Sequence, residues 1–130
     1  MRTVSIWAAV LAAALLTACA VPVPIQNVDN ATVISAAGKA LSADQVRDAI
    51  VRAGTGLAWI IKDAGPGKLV GTLVLRTHTA VVDITYSPTH YSITYKSSID
   101  LKESGGKIHP NYNGWILNLT RAINAQLTAA

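Results

Sequence analysis

The chain has 130 residues and a formal charge of +4, from 11 Lys and Arg against 7 Asp and Glu, with a single cysteine. That length supports one domain with one core, and a lone cysteine excludes an internal disulfide and a cysteine-rich metal cluster. Apart from Arg2, the cations are scattered from Lys39 to Arg121 without a dense run, the pattern of a solvated surface and not of a nucleic-acid partner.

Residues 1–18 carry Arg2, then an apolar stretch rich in Ala and Leu, then small residues, which is the layout of a signal peptide. The stretch is shorter than the roughly 20 apolar residues of a membrane span. It closes on Leu16-Thr17-Ala18-Cys19. This quartet resembles the lipobox of bacterial lipoproteins. The resemblance implies cleavage before Cys19, attachment of diacylglycerol to its thiol, and acylation (palmitate) of the new amino terminus. The residue after it is Ala20 and not Asp, which in that family implies sorting to the outer membrane, facing the periplasm.

Residues 19–40 are expected to be the lipidated Cys19 and a flexible tether, with Pro22, Pro24, Asn27, Asp29 and Asn30 and no trustworthy period. Twenty flexible residues have an r.m.s. span of roughly 25 Å. A short edge strand over residues 28–35 is the equal alternative. The globular domain is expected over 41–130.

Ser42 with Gln45 three residues on reads as a capping box, and Asp44 suits the positive end of the helix. Val46, Ala49, Ile50 and Ala53 then make one apolar stripe, ended by Gly54. Residues 56–62, with Leu57, Trp59, Ile60 and Ile61, read as a strand before the Asp63-Ala64-Gly65-Pro66-Gly67 turn. Gly67-Lys68 is followed by Leu69, so the stretch is no phosphate loop.

Alternation continues through residues 68–77 (Leu69, Gly71, Leu73 and Leu75 inward), 79–86 (Ala80, Val82, Ile84 and Tyr86) and 91–98 (Tyr91, Ile93 and Tyr95). A second helix is expected over 111–127, with a stripe of Tyr112, Trp115, Ile116, Leu119, Ile123 and Leu127 and an N-cap from His109 or Asn111. The expected architecture is therefore α+β: a four-stranded antiparallel meander covered on one face by an N-terminal and a C-terminal helix, in the order α-β-β-β-β-α.

Four features resemble a family of small proteobacterial outer-membrane lipoproteins of uncharacterised function. They are Trp59, Arg76-Thr77-His78, the Tyr-x-Ser-Ser-x-x-Leu of residues 95–101, and the Ile-His-x-x-Tyr-Asn-x-Trp-Ile of residues 108–116. The resemblance spans residues 43–127 and implies location and fold, with no catalytic assignment.

In a meander the turn at His78 and the loop at His109 fall at one end of the sheet, with His90 at the other. A candidate polar binding cluster therefore comprises Arg76, His78, Ser97, Asp100, His109, Tyr112 and Asn113, with Ser98 and Asn111 beside it. The uncovered face carries Val70, Val74 and Val81 among polar residues and is a second candidate, as a docking surface. No serine stands in a nucleophile-elbow context and no His pair has i, i+4 spacing. The expected function is a noncatalytic binding or assembly module, held at the membrane by its N-terminal lipid and meeting an envelope protein or glycan. Neither an enzyme, a cofactor nor a metal is expected. The alternative is a small periplasmic enzyme or a metal or ligand site at His78 and His109.

Overall fold

The computed structural model describes residues 20–130. The expected leader and the Leu16 to Cys19 lipobox lie outside the described residues.

Helix α1 (Ala43–Gly56) starts on the expected capping box. The Ser42 Oγ accepts from the Gln45 N–H at 3.1 Å, and the Gln45 side chain accepts from the Ser42 N–H at 2.9 Å. Its stripe of Val46, Ala49, Ile50 and Ala53 is buried as the spacing predicts. The helix does not end at Gly54. It runs on to Gly56 and stops where the Trp59 N–H reaches the Gly54 carbonyl and the Ala58 N–H reaches that of Thr55. Ala58 supplies the left-handed residue of this Schellman stop, with φ 66°. Gly54 is needed for another reason: a Cβ there would sit 2.7 Å from the Ile61 side chain, so the glycine lets α1 lie close on the following strand.

Strands β3 (Ile60–Asp63), β4 (Lys68–Leu75), β5 (His78–Tyr86) and β6 (His90–Ile99) form the expected antiparallel meander. Leu69, Leu73, Ala80, Val82, Ile84, Tyr91 and Ile93 are buried on one face, whereas Leu75, at the sheet's end, is exposed. Between Val81 and Val82 the β5–β6 register shifts, so β6 holds one extra residue, Lys96, as a bulge.

The sheet has five strands, which corrects the expected four. Strand β2 (Val28–Thr32) pairs antiparallel with β6, giving the order β2-β6-β5-β4-β3. A second, two-stranded sheet joins β1 (Val23–Pro24) to β7 (Lys107–Ile108). The edge-strand alternative for residues 28–35 is thus realised in place of a long tether, and Ile25, Val28, Ala31 and Val33 pack against the core.

Helix α2 (Pro110–Ala129) is capped by His109, whose Nδ1 accepts the Asn111 N–H at 3.1 Å, with Pro110 in the first turn. Tyr112, Ile116, Leu119, Ile123 and Leu127 are buried, and Trp115 is only half-buried. Both helices lie on the buried face of the sheet, and α2 starts beside the end where β6 finishes. The chain is α+β, with two helices on an antiparallel sheet.

Candidate functional site

Two regions of the surface combine chemistry with access. The first is the end of the sheet formed by the β4–β5 turn, the end of β6, and the start of α2, here the near end. Leu75 pairs with His78, so Arg76 and Thr77 make a two-residue turn, with Arg76 in the left-handed region at φ 56°. Asp100, just past β6, has the same φ of 56°. L-residues pay strain in that region, and here tertiary bonds hold both places. The Thr77 hydroxyl donates to Asp100 Oδ2 at 2.5 Å. The His78 Nδ1 donates to the Asp100 carbonyl at 2.6 Å and lies 3.5 Å from its carboxylate.

That bond fixes the His78 tautomer, since a carbonyl only accepts, and it leaves Nε2 as an acceptor in the neutral ring. His109 is set the opposite way, because its Nδ1 accepts a backbone N–H and Nε2 then bears the proton. The two imidazoles stand 6.5 Å apart, centre to centre, and His78 is 6.3 Å from Trp115. Among the described residues, no three His, Cys, Asp or Glu side chains gather to hold a metal ion.

The other members of the expected cluster do different work. Tyr112 is fully buried and stands edge-on to Tyr95 at 5.6 Å. Its hydroxyl has no hydrogen-bond partner among the described residues. Burial first, and then the neighbouring Tyr95, push its pKa above the ordinary tyrosine value. Asn113 is a clamp on β1: its Oδ1 accepts from the Gln26 N–H at 3.1 Å and its Nδ2 donates to the Pro24 carbonyl at 3.0 Å. Ser97 pairs with Val81 and points to the uncovered face, away from the imidazoles. Ser98 bonds the Tyr95 hydroxyl at 2.8 Å. The cluster that the fold assembles is Thr77, His78, Asp100 and His109, with Arg76 exposed in the adjoining turn.

Sequence reasoning passed over Thr77 and an apolar groove of about 170 Å³ beside it, lined by Leu57, Trp59, Val74, Leu75, Trp115 and Asn118. The sequence signal for the groove is Trp115, whose place in the stripe predicts full burial and whose ring is half open.

The second region is the sheet face that no helix covers. Cross-strand pairs Ile60↔Thr72, Thr72↔Val81 and Val81↔Ser97 run across it, followed toward the far end by Lys62↔Val70, Val70↔Asp83 and Asp83↔Thr94. Ile60 is exposed and Val70, Thr72 and Val81 are half-buried by their neighbours. Lys96 and Asp83 form an exposed ion pair at 3.5 Å, which contributes little stability. The face is an apolar strip with a charged margin.

Comparison with protein-family models, with curated proteins and with solved structures returns no match. No helix of the described residues is long and apolar enough to cross a membrane.

Proposed function

We propose that the protein is a lipid-anchored envelope lipoprotein of the outer membrane, facing the periplasm, that acts as a noncatalytic binding or assembly module through its uncovered sheet face. The observation that carries the binding reading is the open strip of Ile60, Val70, Thr72 and Val81, left without a helix on a sheet whose other face is covered by both helices. Apolar surface of this kind, rimmed by charge, suits a protein or glycan partner. The anchor is read from Leu16-Thr17-Ala18-Cys19, and the family resemblance through Trp59, Arg76-Thr77-His78 and residues 108–116 accords with it.

A photo-crosslinking residue placed at Thr94, on the open face, and another at Ala125, exposed on α2, test the binding reading in intact cells. Adducts from Thr94 and not from Ala125 are expected; no adduct at Thr94 overturns it. Cys19→Ser tests the anchor, and a variant retained on membranes with normal processing contradicts the lipobox.

A second reading, a small-ligand site at His78 and His109, rests on the opposed tautomers of two imidazoles 6.5 Å apart, which present one acceptor and one donor. Titration with inorganic phosphate, which can donate to one and accept from the other, while following both imidazole NMR signals checks it, and unmoved signals remove it.

A further inference from the structure

We infer that the near end of the sheet rests on the lipid headgroups, so that the domain stands on the membrane in one orientation. The inference rests on the anchoring of Cys19 proposed above. Only residues 20–22 separate Cys19 from β1, which begins at Val23. Four residue steps reach at most about 14 Å. Strand β1 is not free to lengthen that reach. It pairs with β7, the Ile25 N–H donates to the Gly106 carbonyl at 2.9 Å, and Asn113 grips the chain at Pro24 and Gln26.

Both β1 and β7 lie past the finish of β6, where α2 begins, so the chain enters the domain at the near end. The 10 residues of β6 extend roughly 33 Å. A tether of about 14 Å does not let the far end of that strand come down to the surface from which the chain rises.

The chemistry of the near end suits such a neighbour. Val74 is 59% exposed, Leu75 47% and Ile99 64%. The turn and loop around them carry Arg76, Lys102 and Lys107, all exposed. Glu103 opposes them, while Asp100 is already engaged by Thr77 and His78. Apolar side chains ringed by cations match the boundary between acyl chains and anionic headgroups. The far end carries Lys68 and Lys39 with a single exposed large apolar side chain, Ile34, among Ser87, Pro88 and Thr89, so the short tether decides which end meets the surface. The occupant of the near end is thus the bilayer that holds the lipid, and the open face is presented sideways to whatever else occupies that membrane.

Because Cys19 is the only cysteine, and its thiol is blocked when lipidated, an introduced cysteine is a unique probe. Ile99→Cys and Lys68→Cys place one on the same sheet face at opposite ends, about 20 Å apart along the strands. Each processed full-length protein is labelled with a maleimide fluorophore and placed in vesicles of phosphatidylethanolamine and phosphatidylglycerol containing a headgroup spin-label quencher. Over that separation of about 20 Å, quenching about threefold or more stronger at position 99 than at position 68 is expected. Equal quenching, stronger quenching at 68, or no quenching of either label on vesicle-bound protein overturns the orientation while leaving the anchor intact. A wild-type chain that takes the maleimide at Cys19 and fails to float with vesicles removes the anchor, and the orientation with it.

Discussion

The two ends of the sheet are closed by different kinds of bond. At the far end the side-chain bonds of the β5–β6 turn are its own: the Ser87 Oγ accepts from the Thr89 and His90 N–H groups at 3.2 and 3.0 Å, and the Ser87 N–H reaches the His90 carbonyl at 2.8 Å, while the long-range bonds there are backbone ones, from the Val33 N–H to the Thr89 carbonyl at 2.8 Å and from the Tyr86 N–H to the Gly67 carbonyl at 3.0 Å. The near end is tied by residues far apart in the chain. Thr77 and His78 hold Asp100, Asn113 holds Pro24 and Gln26, and the His109 N–H reaches the Leu101 carbonyl at 2.9 Å. A turn whose side-chain bonds are local can lose them without disturbing its surroundings, whereas an end held by long-range side-chain clamps opens as a unit. The near end therefore holds its polar groups in place only as long as β1, the β6 exit and α2 stay together.

The largest effect that tests this contrast is Leu101→Ala. Leu101 is 1% exposed at the centre of the near end, and its truncation is expected to cost about 2–5 kcal/mol in urea unfolding. A cost no greater than that of Thr89→Ala at the far turn would break the comparison. Next comes Asn113→Ala, which removes both bonds to β1 and should cost about 1–2 kcal/mol. Hydrogen exchange at Ile25 and Gln26 should quicken together while the β4–β5 amides keep their protection. Ser87→Ala should cost about 1 kcal/mol, with exchange quickening only at Thr89 and His90.

The smallest effects come from two buried tyrosines, one near each end. Tyr91, in the second position of β6, donates its hydroxyl to Asn124 at 2.7 Å, whereas that of Tyr112 is unpartnered among the described residues. Tyr91→Phe should cost about 1 kcal/mol, and Tyr112→Phe should be neutral or stabilising by up to about 1 kcal/mol. Burial raises both phenol pKa values in the folded state. The unfolded chain then ionises first, so the stability these groups contribute is complete below the unfolded value of about 10 and falls as pH rises past it. Alkaline denaturation should be shallower in Tyr112→Phe, and a pH profile unchanged from wild type would contradict the burial of that hydroxyl.

The same division explains what could be read from the chain. The capping box at Ser42, the stripe of α1 and the alternation of β4 to β6 are local patterns, and they stand as expected. The parts left open or not foreseen depend on partners distant in sequence. Strand β2 is Val-Asp-Asn-Ala-Thr, poor in strand formers, and exists because β6 offers an edge. Its Asn30 takes a left-handed φ of 54° with its N–H bonded to the Ser92 hydroxyl at 2.8 Å, which breaks the alternation a reader looks for. Two-residue strands such as β1 and β7 have no period at all. Gly54 looked like a stop because glycine commonly is one, and only the approach of Ile61 explains its place inside the helix. In the polar cluster, the placement of His78, Asp100 and His109 followed from strand order. The burial of Tyr112 and the clamp by Asn113 did not, since β1 was not foreseen.

The two outer strands of the five-stranded sheet share a property that bears on crowding. The outer edge of β2 is interrupted at Asn30 by a register shift against β6, and β3 is four residues long and carries Lys62 and Asp63. An added strand finds a broken row of donors on one side and a short, charged one on the other. If the domain is held at a membrane as proposed above, where copies would collide edge to edge far more often than in free solution, this discourages polymerisation through the backbone and leaves recognition to side chains.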